Sequence, residues 1–443
     1  MSTNSFAKNS LITLLRQVIS ILLGLVFSII IARVLGPENQ GKYSLIILVP
    51  TIIITFMNLG IGMSTAFYVS KKEIEVQRAV SINLFLGTIL AVLGFIGGAF
   101  FIYFWGKHFI DDVNMSMLLL ALVSLPFLFF TNFLQPVFQG IQDFVTFNKV
   151  LLIQQLSNLL LFVILALIFS DKLLVAIFAF LISFLISNFY ILLSLKSKKL
   201  LNFSWNHIRK KDIMSLSIYG IKAHLSNIIT FLNYRLDMFL LGYFLSPLYV
   251  GYYSVAVSIS EKLSVFSQAI SAVLLPSISA SSSNENRNKL TATIVRLLFH
   301  FLLIVIIILY ATISFLINIL FGEEYSNSII LIMILLPGLF ALSLERILSN
   351  DLAGRGKIEY NLYVSIFNVI LNVLLNLALI PKIGVTAAAI SSSITYVLSF
   401  FIKLFLFIKF TKVSLLDLFI LTRYDFEIVV KASNRFLKFR RGG

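Results

Sequence analysis

Long apolar runs, each about the length of a bilayer crossing, alternate along this chain with short polar breaks. A helix needs about 20 apolar residues to cross the hydrocarbon. Twelve runs qualify: roughly 10–33, 43–65, 79–104, 115–138, 149–169, 173–195, 214–241, 249–275, 290–320, 327–350, 358–380 and 384–410. Within several of them the polar residues recur at steps of three and four, the helical period. Span 7 carries Lys222, Ser226, Thr230, Asn233 and Asp237 in one stripe. Span 1 carries Thr13, Arg16, Gln17 and Ser20 on one side, and span 2 carries Ser44, Thr51, Thr55, Asn58, Gly62 and Thr65. Span 8 carries Gly251, Ser254, Ser258, Glu261 and Lys262. Polar side chains inside a membrane are costly unless they face a bundle interior or a wet cavity, so these four faces predict a shared polar interior. Span 11 aligns Asn361, Ser365, Asn368, Asn372 and Asn376, a pattern suited to hydrogen bonds between helices.

Composition removes most alternatives. With 59% hydrophobic and 12% charged residues among 443, and a mean hydropathy of +0.99, lipid is the solvent for most of the chain. Too few polar residues remain to cover a soluble catalytic domain. There are no cysteines, and the four histidines (His108, His207, His224, His300) never fall at ligand spacing, so neither a metal nor a cofactor is expected. Gly354-Arg-Gly-Lys357 is only a fragment of a phosphate loop. Asp111 and Asp112 stand beside His108 in a short loop, where adjacent acids are ordinarily just solvated. The chain therefore reads as a non-enzyme.

The net charge of +16 would suggest nucleic acid in a soluble protein; here it sets orientation. With the N-terminus inside, the inner loops hold Lys8, Lys71, Lys72, Arg78, Lys149, the cluster Lys196 to Lys211, Arg287, Lys289, Arg346, Arg355 and Lys357. The outer loops hold only Arg33, Lys42, Lys107, Lys172 and Lys382. Both termini are expected in the cytoplasm. The end of the tail, Arg435-Phe-Leu-Lys438-Phe-Arg440-Arg441, reads as a basic segment lying on an anionic leaflet.

The spans also repeat. Leu35-Gly36-Pro37-x-x-x-Gly41-x-Tyr43-Ser44 recurs as Leu245-Ser246-Pro247-x-x-x-Gly251-x-Tyr253-Ser254, and Gly140 and Asn148 recur as Gly354 and Asn361. Six spans is an even number, so both halves share one topology, a plan used by alternating-access transporters. The fold expected is an all-α integral membrane protein with twelve transmembrane helices in two parallel-repeat six-helix lobes. The lobes occupy 1–195 and 214–410, with a basic linker at 196–213 and a basic tail at 411–443.

Charge inside the spans is biased. The bases are Arg16, Lys222, Arg235, Lys262, Arg296 and Lys403, and the acids read as within the spans are Asp237 and Glu261. That sign favours an anionic cargo. Arg16, about 9 Å past the cytoplasmic start, either faces the cavity or snorkels. Arg235 points off the span 7 stripe, where packing is as good a role as binding; Glu261 and Lys262 either neutralise each other or serve transport. Substrate contact is assigned to Arg16, Lys222, Lys262, Asn58, Asn233 and Arg235, and ion coupling to Asp237 or Glu261.

Ala32-Arg33-x-Leu35-Gly36-Pro37-x-x-x-Gly41-x-Tyr43-Ser44 resembles the hallmark of the bacterial polysaccharide-export flippases. These are Wzx-type O-antigen and capsule repeat-unit transporters of the multidrug/oligosaccharidyl-lipid/polysaccharide exporter superfamily. Leu274-Leu275-Pro276-Ser277-Ile278-Ser279, and Gly140 with Phe144, are similar to that pattern too, and the likeness runs from about 5 to 410. It implies that an undecaprenyl-pyrophosphate-linked oligosaccharide crosses the bacterial inner membrane as two lobes rock about a central cavity. Membrane lipid, a polysaccharide polymerase and a chain-length regulator are the implied partners. The alternatives are a cation-coupled multidrug antiporter of the same superfamily, whose N-lobe acid this chain lacks, and a peptidoglycan-precursor flippase, whose relatives carry two further spans. A scaffold for glycan-assembly enzymes is the non-transport reading.

Overall fold

The computed structural model describes residues 3–109, 113–280, 283–423, 425 and 427. Among these residues the chain is helix joined by short turns, with no strand. In order, the helices are α1 (Thr3–Met57), α2 (Ile61–Ser70), α3 (Val76–Phe109), α4 (Met115–Leu122), α5 (Leu125–Gly140), α6 (Phe144–Ile168) and α7 (Lys172–Ser197). There follow α8 (Lys210–Phe244), α9 (Pro247–Ser260), α10 (Ser264–Ala280), α11 (Asn284–Leu320), α12 (Asn327–Gly354), α13 (Ile358–Ile383), α14 (Thr386–Thr411) and the short α15 (Leu415–Phe419).

These match the twelve expected crossings once the breaks are counted. α1 is two helices meeting at a kink where Gly36 takes φ 70 and ψ 169, a conformation open to glycine, just before Pro37. α1 continues into α2, α4 into α5, and α9 into α10, each pair completing one crossing. Among the described residues nine helices are long and apolar enough to span; α8, which carries the polar stripe, and the shorter α9 and α10 lie outside that set. Asp143 and Asp171 accept backbone bonds at the starts of α6 and α7, satisfying amides that would otherwise be orphaned. Burial would raise the Asp143 carboxyl, but Thr146 and Lys198, 3.0 Å away, outweigh it and hold it below the ordinary carboxylate range. Asp111 and Asp112, and the basic residues Arg435 to Arg441, lie outside the described residues.

The chain divides into two compact units. The first comprises 1–258, 317–328 and 376–388. Its core sets Val80 of α3, Leu134, Val137 and Phe138 of α5, Val150 of α6, and Ile191 and Leu195 of α7 together. Amides tie the same helices: Asn83 donates to the Phe133 carbonyl at 2.7 Å, and Asn188 to Thr131 at 2.9 Å. The 198–209 stretch lies on α3, with Trp205 edge-on to Phe85 and Ser81 donating to the Asn202 carbonyl.

The repeated motif has a direct structural meaning in this unit. The two copies press on each other, glycine to glycine. A Cβ on Gly41 would sit on the Pro247 carbonyl, 2.6 Å from its carbon and 2.8 Å from the Gly251 nitrogen. A Cβ on Gly251 would sit on the Pro37 carbonyl, 2.7 Å from its carbon and 3.2 Å from the Gly41 nitrogen. Beside them Arg33 donates to the Ile319 and Leu320 carbonyls, and the buried Tyr325 hydroxyl donates to the Ala32 carbonyl at 3.0 Å. Burial, the Glu324 carboxylate and Tyr252 push the Tyr325 phenol upward, so its hydroxyl stays a donor.

The second unit comprises 259–316, 329–375 and 389–443. Asn361 and Asn372 do act between helices, donating to the Ser349 carbonyl (2.9 Å) and to Ser392 (3.4 Å). α12 and α14 come close where a Cβ on Gly338 would lie 2.5 Å from the Ser393 Cα. The described part of the tail folds back onto α11: Asp425 receives Arg296 bidentately at 2.6 and 2.7 Å, Arg296 also donates to the Asp417 carbonyl, and Phe419 packs on Phe299. A cavity of about 810 Å³ lies beside this strap, bordered by Lys289, Thr293, Arg296 and Asp417.

Candidate functional site

The polar residues of the first unit converge where span 2 breaks. α1 ends at Met57 and α2 begins at Ile61; between them Leu59 and Gly60 both take left-handed φ values, 51 and 67. Such a pair stops the hydrogen-bond ladder inside the bilayer, which membranes tolerate only where the freed groups find partners or line a cavity. Here they do both. Asn58 Oδ1 accepts from the Gly60 amide at 2.9 Å, and the imidazole Nε2 of His224 lies 3.0 Å from the Phe56 carbonyl. A carbonyl only accepts, so the His224 hydrogen is on Nε2.

α8 reaches the break because Gly220 has no side chain: a Cβ there would lie 2.9 Å from the Gly60 carbon. Gly220, His224 and Asn227 thus form a second face of α8, distinct from the Lys222 stripe. Asn58, Met63, Asn132, Pro136 and Asn227 border a cavity of about 160 Å³ next to the break. Asn132 donates back to the Leu128 carbonyl, and Asn227 donates to the Met63 sulfur at 3.8 Å. Three amides with no carboxylate beside them suit a neutral hydrogen-bonding group.

The residues singled out from the sequence fall as follows. Arg16 is half-buried on α1, and among the described residues its partner is Asn148, whose Oδ1 accepts from Nε at 3.0 Å. Asn58 is at the break itself. Lys222 belongs to α8, with a side chain outside the described residues. Asn233 and Arg235 are half-buried on α8, and Arg235 donates to the Tyr234 carbonyl at 3.3 Å. Asp237 is buried; it accepts from the Met238 amide at 2.7 Å and from the hydroxyl of Tyr253, a residue of the repeated motif. Glu261 and Lys262, half-buried, form the 3₁₀ turn that separates α9 from α10 and belong to the second unit.

One reading of the sequence needs correction. Glu345 lies inside the tenth span, and it is buried against Lys403 with Ser349 and Ser399 on the same oxygen. Lys403 is therefore neutralised within its own unit, as Arg296 is by Asp425. Two of the six bases counted toward a cationic interior are cancelled by acids that the count omitted: one near a helix end, one in the tail. His224 was also missed, because a lone histidine gives no spacing signal; its place opposite a helix break gives it meaning.

Comparison with known proteins fits this architecture. The family model described as "Polysaccharide biosynthesis protein" matches residues 6–282, and the model named MatE matches 223–378. A putative O-antigen transporter of Shigella flexneri is 24% identical over 409 residues, 89% of this chain and 96% of the relative. A probable low-salt glycan biosynthesis flippase of Haloferax volcanii is 24% identical over 189 residues, 42% of this chain and 40% of the relative. Among solved structures, an inward-facing multidrug resistance MATE transporter superposes with a TM-score of 0.75, covering 89% of this chain and 94% of that one at 15% identity. The lipid II flippase MurJ, in an inward closed conformation, gives 0.74 over 90% and 87%, also at 15% identity.

Proposed function

The chain belongs to the polysaccharide biosynthesis protein family, a multi-pass membrane protein with the transporter fold, and on that premise we propose that it is a flippase. Its cargo is an undecaprenyl-pyrophosphate-linked oligosaccharide repeat unit, carried from the inner to the outer leaflet of the bacterial inner membrane for O-antigen or capsule assembly. The lobes at 1–195 and 214–410 alternate access, both termini face the cytoplasm, and a polymerase and chain-length regulator receive the product.

The observation that carries this reading is the state of Arg16. Arg296 and Lys403 spend their charge on acids of the same chain, whereas the partner of Arg16 is a neutral amide. A guanidinium half-buried in a low-dielectric bundle, with no ionic partner among the described residues, suits a pyrophosphate, which it grips through a planar fork. Lys222 and Lys262 share that task, while Asn58, Asn233 and Arg235 meet sugar hydroxyls and polar head atoms. Asp237 or Glu261 senses the driving ion. The match to the MatE model and the MATE neighbours favour, as a second reading, a cation-coupled antiporter.

The test is surface glycan in cells complemented with variants. Arg16→Ala with Lys262→Ala is expected to abolish it at normal protein level, and Arg16→Lys to restore it only in part. Normal glycan from the double variant contradicts the assignment.

A further inference from the structure

We propose, on the flippase reading above, that the amide-bordered cavity at the break in span 2 is a sugar subsite that takes an uncharged ring and turns away a carboxylated one, with Asn132 and Asn227 as its specificity-determining residues. Two close backbone approaches assemble it from three parts of the chain. A Cβ on Gly62 would sit on the Asn132 carbonyl, 3.0 Å from Pro136 Cγ, so α2 lies directly against α5. Gly60 rests on Gly220, which brings α8 to the same break. Asn58, Asn132 and Asn227 thereby border one cavity of about 160 Å³, with Met63 and Pro136 beside them. At about 30 Å³ per water that is room for roughly five waters, and well below the ~300–1,000 Å³ of a drug-sized pocket. Such a space suits one edge of a single ring rather than a whole oligosaccharide.

The three amides differ from the helix-tying amides around them. Asn83 and Asn188 are buried and spent on neighbouring helices, Asn83 on the Phe133 carbonyl that follows Asn132 in the chain. Asn132 and Asn227 are exposed, although Asn132 lies inside an apolar span and Asn227 stands at the middle of α8. An amide facing lipid at that depth would be costly, whereas one facing a wet cavity is not. Asn132 gives its amino group to the Leu128 carbonyl of its own helix, and Asn227 gives its own to the Met63 sulfur, a weak acceptor. Neither bond ties two polar groups of different helices, so packing does not account for them.

Those bonds also fix what the cavity offers. Asn132 and Asn227 each present an Oδ1 acceptor, while Asn58, whose Oδ1 is taken by the Gly60 amide, presents its Nδ2 donor. The complement is a group with two donors and one acceptor. Two adjacent sugar hydroxyls supply that set, and so does an acetamido group beside a hydroxyl. A carboxylate has acceptors alone: it satisfies Asn58 and leaves both Oδ1 atoms unpaired against its own oxygens. Sites built to hydrogen-bond a donor discriminate through the groups left unpaired. Met63 and Pro136 give the C–H face of the ring an apolar wall.

The experiment measures equilibrium binding to the full chain in lipid nanodiscs. The probes are undecaprenyl pyrophosphate bare, bearing N-acetylglucosamine, or bearing glucuronic acid. The N-acetylglucosamine form is expected to bind about tenfold tighter than the bare lipid, and the glucuronic acid form no tighter than the bare lipid. In Asn132→Leu with Asn227→Leu that tenfold gain should vanish while the affinity for the bare lipid stays as in the parent, which also reports that the variant is folded. The proposal is overturned if the parent binds the bare and both sugar-bearing lipids alike, if the glucuronic acid form gains as much as the N-acetylglucosamine form, or if the double variant keeps the gain. In each of those cases the flippase reading stands; a parent that binds none of the three lipids overturns that reading and the subsite together. Should the double variant not fold, Asn227→Leu alone decides, with a loss of about threefold expected for the N-acetylglucosamine form and an unchanged affinity overturning the assignment.

Discussion

Replacing Gly41 by alanine tests whether the repeated motif is a packing device. The added Cβ would meet the Pro247 carbon at 2.6 Å and the Gly251 nitrogen at 2.8 Å, and both are backbone atoms that cannot swing aside. Ordinary carbon contacts are about 3.5–4.0 Å, so the two segments must separate by about 1 Å. Overpacking of this kind costs about 1–3 kcal/mol, and alanine recovers about 0.5–1 kcal/mol of helix preference. The net loss is then about 1 kcal/mol for Gly41→Ala, and the same for Gly251→Ala. Gly24, on the N-terminal side of the Gly36 kink, is the control, because a Cβ there meets nothing within 4 Å among the described residues. Gly24→Ala should be stabilising by about 0.5–1 kcal/mol, since only the helix preference remains. Thermal unfolding in one detergent, compared across the variants, gives the order Gly24→Ala, parent, Gly41→Ala. A Gly41→Ala protein at least as stable as Gly24→Ala would refute the reasoning.

Further expectations follow from the buried charges. Glu345→Gln or Lys403→Met alone leaves an uncompensated buried charge or its orphaned partner and should cost about 3–5 kcal/mol; the double variant should recover most of it, which a double-mutant cycle on unfolding measures. Asp425 is raised by burial but held down overall by Arg296 and Thr422, to about 2. Its folded value lies below its unfolded one, so its contribution of about 2 kcal/mol is present at neutral pH and is lost as pH falls from about 4 toward 2. Asp425→Asn should flatten that acid limb of stability; an unchanged limb rules out the strap. Asn at 237 or Gln at 261 should keep cargo binding yet remove the gradient dependence of flipping, and unchanged dependence assigns that residue to structure. A single cysteine at Ser197 should resist an impermeant external reagent in intact cells; labelling there reverses the topology.

The crossings were legible because lipid imposes length. Span 7, read as 214–241, is Lys210–Phe244, and span 10, read as 327–350, is Asn327–Gly354. What stayed hidden were departures from the helical period. The stripe from Ser44 to Thr65 keeps its spacing straight through Asn58-Leu59-Gly60, so periodicity alone carries the helix across a break that only the Gly60–Gly220 contact reveals. The helix 8 stripe hides the 3₁₀ turn at Glu261 in the same way. Pairings between distant residues, Glu345 with Lys403 and Arg296 with Asp425, leave no trace in spacing at all, and they changed the charge of the interior.

The glycine contact has a further consequence. Gly41 presses on Pro247 as Gly251 presses on Pro37, so within one chain the two copies make an isologous interface, each contributing the same knob and the same hollow. Such a surface is complementary to itself. A single substitution in either copy breaks only half of the contact, but it spoils the match for both. Drift in the two halves of the gene is therefore coupled at these positions even where the rest of the repeats have diverged. Chimeras that exchange one half between relatives will succeed or fail first at this seam.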